Sequence, residues 1–156
     1  MGYTHYFKGL KTSDVFAEGV RDIVTAAAEL GIKVCGPDGY GDPIVTADFI
    51  ALNGDAEANL DYESFVIRNN DRFNFCKTAR RPYDAVVTAI LIWAIVGEFD
   101  GYENIGTDGS WEDWVNPGRH DGTGESRPNG FEVYEQAFGE KLTDEEIKRV
   151  KEVANL

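Results

Sequence analysis

Residues 3–8 alternate aromatic and polar side chains, Tyr-Thr-His-Tyr-Phe-Lys, the two-residue period of a β-strand. The period then changes. Phe16, Val20, Ile23, Val24, Ala27 and Leu30 recur at helical spacing behind a capping residue, Thr12 or Ser13, with Asp14 in the first turn and Gly31 as a stop. This predicts an amphipathic helix over residues 13–30. Residues 32–35 read as a short strand, and the Gly/Pro-rich stretch 36–43 as a turn-rich loop. Residues 44–53 read as one strand ended by Asn53-Gly54-Asp55, and residues 62–68 and 73–78 as two more. The Asn-Asn-Asp-Arg link at 69–72 predicts that the last two pair as an antiparallel hairpin. Behind Pro82, residues 85–96 are apolar on every face, interrupted only by Thr88, as suits a buried central helix entered through Pro82.

Beyond residue 100 the pattern is weaker. Residues 102–105 suggest an edge strand, and Ser110-Trp111-Glu112-Asp113 a capping box opening a short helix that carries Trp111 and Trp114. Residues 116–130 are rich in glycine and proline and read as a flexible loop. Residues 131–138 read as a helix, and Thr143-Asp144-Glu145-Glu146 caps a last helix running to about Ala154. The order predicts an α+β domain: an antiparallel sheet with the amphipathic helix and the central buried helix packed on it, plus a C-terminal helical tail. The expected division is a core over 1–115, the loop 116–130, and a tail over 131–156 packed on the same domain.

A chain of 156 residues, 42% of them apolar, is long enough to bury one core. The twelve-residue apolar run is too short to cross a bilayer, which takes about 20 residues. Neither a basic start nor an apolar leader opens the chain. A cytoplasmic protein without membrane contact is expected. Cys35 and Cys76 fit a reducing compartment. Their spacing matches no zinc pattern, and although with His5 and His120 they could form a Cys2His2 site, they read as buried or bystander residues and no metal is expected. No dinucleotide or P-loop fingerprint is present, so no cofactor is expected. The formal charge is −13, spread along the chain: nine basic against fifteen acidic residues to position 100, six against thirteen after it. Such a surface repels phosphate backbones and disfavours direct nucleic-acid binding. It also admits a different role, an acidic interaction protein whose carboxylates occupy a partner's phosphate-binding groove by nucleic-acid mimicry.

Against that background, three of the fifteen cationic residues, Lys77, Arg80 and Arg81, fall within five positions at the head of the central helix. A helix start offers free N–H groups and partial positive charge, arginine offers a planar fork for phosphate or carboxylate, and Thr78 adds a hydroxyl. The bland alternative is that these cations tie the turn to the protein's own carboxylates. Alternation in the first strand puts Tyr3, His5 and Phe7 on one face, with Thr4 and Tyr6 on the other. Tyr3, His5 and Tyr6 are candidates for contact with a base or sugar. Cys76 beside Lys77, with His5 as base, sketches a nucleophile–base pair. Asp108, Glu112 and Asp113 read as solvated or capping residues.

Met1-Gly2-Tyr3-Thr4-His5-Tyr6-Phe7, together with Phe75-Cys76-Lys77-Thr78-Ala79-Arg80-Arg81-Pro82-Tyr83-Asp84 and the apolar helix behind it, resembles a group of small uncharacterised bacteriophage and prophage proteins over about residues 1–115. The resemblance implies a setting rather than a reaction: a small phage accessory protein in the bacterial cytoplasm, of a kind that counters host defence or redirects a host enzyme. The expected function is non-catalytic binding of a small anionic, nucleotide-like ligand by Lys77, Thr78, Arg80, Arg81, His5, Tyr3 and Tyr6. The acidic inhibitor of a host protein is one alternative, and an enzyme acting on a phosphorylated substrate through His5 or Cys76 is the other. Nothing in the sequence fixes an oligomeric state.

Overall fold

A computed structural model describes residues 3–70, 74–117 and 126–156. The first strand, β1 (Thr4–Phe7), leads through Leu10 into helix α1 (Asp14–Glu29). Ser13 is the cap, its hydroxyl accepting the Phe16 N–H at 3.2 Å. Thr12 instead anchors the approach: its hydroxyl donates to the Thr46 carbonyl at 3.1 Å, and its N–H to Asn69 Oδ1 at 2.8 Å. The helix buries Phe16, Ala17, Val20, Ile23 and Ala27 and stops at Gly31, whose φ of 88° lies in the left-handed region.

The α+β class holds, but the strands form two antiparallel sheets of three. One is ordered β5–β1–β6, from β5 (Phe75–Lys77), β1 and β6 (Ile105–Thr107). The other is ordered β2–β3–β4, from β2 (Ile44–Val45), β3 (Phe49–Leu52) and β4 (Phe65–Arg68). Four expectations about the strands are corrected. Residues 44–53 are a hairpin rather than one strand, because the Thr46 hydroxyl accepts the N–H groups of Asp48 and Phe49 and folds the chain back. β4 and β5 do not pair with each other: β4 lies against β3 with Leu52 opposite Phe65, while β5 lies against β1 with His5 opposite Cys76. The link expected to join them includes residues 71–73, outside the described residues. Of residues 32–35, Cys35 alone makes a β-bridge, to Asn53. The edge strand expected at 102–105 begins three residues later, after a 3-10 turn, and β6 is indeed an edge.

The centre of the molecule is α2 (Asp84–Val96), with every residue from Asp84 to Ile92 buried, together with Ala94 and Ile95. Its first helical residue lies two beyond Pro82, which sits in the preceding turn. Helix α3 (Trp111–Val115) opens with the predicted Ser110–Asp113 capping box. Asn129 and Glu132 form another at the head of α4 (Gly130–Phe138), and Thr143 and Glu146 a third at α5 (Asp144–Ala154). The C-terminal helices share the core of the rest: α4 packs on α1 and α2, and α5 on α2 and β6, with Val133, Tyr134, Val150 and Ala154 in the same buried cluster. Gly130 permits this approach, since a Cβ there would lie 2.2 Å from Thr88 Oγ1 on α2. Residues 118–125 of the expected loop are outside the described residues. Among the described residues no helix is long and apolar enough to cross a membrane.

Candidate functional site

The cationic segment begins on β5, where alternation decides which side chains meet. Cys76 and Thr78 point inward and are fully buried, while Phe75 and Lys77 are exposed. Lys77 pairs with Thr4 across the strands and lies on the outer face, where Tyr6 also sits, its hydroxyl donating to Asp108 Oδ2 at 3.4 Å. The candidates therefore separate. Tyr3, His5 and Thr78 meet on the inner side at one end of the sheet, and Lys77 and Tyr6 do not join them.

After Thr78 the chain reverses through Ala79 and Arg80, both at left-handed φ (51° and 57°), and the Arg81 N–H closes the turn on the Thr78 carbonyl at 3.0 Å. Two consecutive positive φ values mark a type I′ turn, normally built from glycine or asparagine. Neither residue is of that kind, so the turn holds backbone strain of about 1 kcal/mol or more per residue. A second turn, closed by the Asp84 N–H on the Arg81 carbonyl at 2.8 Å, delivers the chain to α2.

Asp84, at the head of α2, is the hub. One oxygen, Oδ1, accepts the Thr78 hydroxyl at 2.6 Å and lies 2.7 Å from His5 Nε2. His5 is fully buried and Asp84 nearly so. Because Oδ1 is an acceptor here, Nε2 carries the donated proton and Nδ1 is left without a partner. The imidazole lies edge-on to Tyr3, centroids 5.0 Å apart, and to Trp114 of α3, 5.7 Å apart. Arg80 caps this row: its guanidinium lies 4.4 Å above the Tyr3 ring and 3.5 Å from Asp113 Oδ1. Arg127, on the approach to α4, donates to the Arg80 carbonyl, bringing a third guanidinium to the turn.

Five buried polar atoms have no full hydrogen bond among the described residues: His5 Nδ1, Tyr3 Oη, Trp114 Nε1, and the Nε atoms of Arg80 and Arg81. The Tyr3 hydroxyl has Thr107 alongside and lies close above Gly109, where a Cβ would stand 2.4 Å from it. Each such group costs about 1–3 kcal/mol if left unsatisfied, and native proteins keep only a few per hundred residues. All five belong to the β1 end, the turn beside it and α3. Four of them are N–H or O–H donors, and His5 Nδ1 is the one acceptor.

The thiol does not suit nucleophilic chemistry. Burial pushes the Cys76 pKa well above the ordinary thiol value, with Asp84 and Glu63 adding to the rise. Its sulfur donates to the Glu63 carbonyl at 3.4 Å. Lys77, expected to lower that pKa, faces the other way. Tyr83 serves the fold, its hydroxyl donating to the Glu63 carbonyl at 2.6 Å. Cys35 is a second buried free thiol, on the segment bridged to Asn53. His120 lies outside the described residues.

Burial also raises the phenols of Tyr3 and Tyr83 above the ordinary tyrosine value, Tyr3 further through Asp84 and Tyr83 further through Cys76. All three groups thus ionise later in the folded protein than in the unfolded chain. Their contribution to stability is complete below the ordinary thiol and phenol range and is lost as pH rises through it. Urea midpoints are therefore expected to hold up to about pH 8 and fall steadily from about pH 9. A midpoint unchanged to pH 11 would contradict the burial of these groups.

Asp84, Trp114, Asp113 and Arg127 complete the site and were not among the sequence candidates. Protein-family models, curated proteins and solved structures give no match to this chain.

Proposed function

We propose that the protein binds a small anionic, nucleotide-like ligand at the Thr78–Arg81 turn without transforming it. The observation that carries this is the cluster of unpartnered buried donors beside three guanidinium groups in a protein of net charge −13. Arg80, Arg81 and Arg127 would take the phosphate, and the Tyr3 ring, covered by Arg80 in the free protein, would meet the base or sugar with His5 and Trp114 packed behind it. Thr78 is committed to Asp84 and acts by holding that carboxylate in place. Asp113, which pairs with Arg80 in the free protein, would be displaced by the ligand's charge. The resemblance to phage proteins supports a matching setting, that of a small phage accessory protein which sequesters a defence signalling nucleotide in the host cytoplasm.

Thermal denaturation with a panel of nucleotides and cyclic dinucleotides tests the proposal. A ligand at a hundred times its Kd stabilises the native state by about 2.7 kcal/mol, about 5–10 °C for a domain of this size. The shift should vanish in Arg80→Ala/Arg81→Ala protein that retains its circular dichroism spectrum. If no phosphorylated compound at millimolar concentration moves the midpoint, the proposal fails. If the double variant loses stability but keeps the shift, the arginines are structural.

A further inference from the structure

We infer that anion binding at this turn is coupled to uptake of one proton by His5, so that the site binds more tightly as pH falls. The inference rests on the anion-binding proposal above and adds to it the state of the imidazole.

The argument is one of charge balance in a buried space. From α2, Asp84 faces the ring at 2.7 Å. From β5, Cys76 stands opposite it in register, and burial keeps that thiol neutral. From the turn comes Arg80, and from α3 come Asp113 and Trp114. Tyr3 shares its strand, and β6 offers only the uncharged Thr107. Arg80, Arg81 and Arg127 against Asp84 and Asp113 make three cations and two anions, an excess of one positive charge with the imidazole neutral. A bound dianion turns that excess into a deficit of one. His5 is placed to answer: its Nδ1 is unpartnered and can accept a proton, and its Nε2 is already held by a carboxylate. A proton on Nδ1 converts the His5–Asp84 contact into an ion pair and sets positive charge beside the anion. The coupling acts through the local field and does not require the ligand to touch the ring, which is fully buried.

Sulfate is the suitable probe, because it has the shape and charge of a phosphate group but does not itself titrate between pH 6 and pH 8. Three measurements on the full chain decide the matter: sulfate affinity against pH, the 15N signals of the imidazoles, and the Nε–H signals of Arg80 and Arg81. Sodium chloride at matched ionic strength and the Arg80→Ala/Arg81→Ala variant serve as controls. A His120→Gln variant separates the signals of the two histidines. The expected result is sulfate affinity that falls up to about tenfold per pH unit where the single proton is exchanged. At pH 7 the His5 signals should move from the neutral tautomer protonated at Nε2 to the imidazolium when sulfate is added. His5→Asn should flatten the pH dependence while retaining binding. If that variant fails to fold, the imidazole signals of the unmodified protein still decide. Sulfate that perturbs the arginines with pH-independent affinity, or a His5 whose protonation does not change, overturns the coupling and leaves the anion site standing. Sulfate that moves neither the arginine signals nor the midpoint beyond the chloride control overturns the coupling and counts against the site as well.

Discussion

Replacing Asp84 with alanine is expected to cost about 3–5 kcal/mol, a large share of the about 5–15 kcal/mol that holds a domain together. The loss has two parts. His5 Nε2–H and the Thr78 hydroxyl, both buried, lose their common acceptor at once, at about 1–3 kcal/mol each. The inner end of β1 also loses its tie to the head of α2. Asp84→Asn separates geometry from charge. An amide oxygen can accept from the same two donors, so this variant should cost about 1–2 kcal/mol, while losing the carboxylate that would hold a protonated His5. Urea unfolding with an unchanged slope distinguishes the two variants. Equal losses from Asn and Ala would mean that the carboxylate's charge, and not its role as acceptor, holds the junction. A loss below about 1 kcal/mol from alanine would mean that the junction is held elsewhere.

The same junction shows why the site was only partly legible in the sequence. Lys77, Arg80 and Arg81 stand out against an acidic chain, and the two-residue period of β5 is enough to separate outward Lys77 from inward Thr78. Asp84, by contrast, looks like any carboxylate in a first helical turn. Its role depends on β5 pairing with β1 rather than with β4, and that pairing joins residues 3–8 to residues 75–78 across the length of the domain. The four-residue link favoured the local alternative, because short links usually make hairpins. Asp113 was read as a capping residue and does cap α3. Its second contact, with Arg80, arises only when β6 brings α3 to the far side of β1. Elements set by local chemistry were readable to within a residue or two: α1 from its apolar stripe and Gly31, and α3 and α5 from their capping boxes. Features requiring long-range pairing were not.

Trp93→Ala is expected to destabilise the protein by about 3–5 kcal/mol, lowering the melting temperature by about 6–20 °C. Trp93 is the one side chain of α2 between Asp84 and Ile95 that is not fully buried, yet it joins three segments. Its indole N–H donates to the Phe16 carbonyl on α1 at 3.2 Å. Its ring stacks on Phe138 of α4 at 4.8 Å between centroids and meets Phe99 at 5.0 Å. It also lies flat against Gly19 of α1, where a Cβ would fall 2.3 Å from the indole. Removing the ring opens a space bounded on one side by a residue with no side chain to fill it, and loosens the packing of α4 on α1 and α2. Gly19→Val should be damaging for the complementary reason, forcing the ring out of its place. The hydrogen-exchange pattern makes the prediction specific. Amides of α4 should lose protection in Trp93→Ala more than those of the β2–β3–β4 sheet, since Phe138 of α4 stacks directly on this ring. Uniform loss across both would mean that the tail and the sheet unfold as one unit whichever contact is cut.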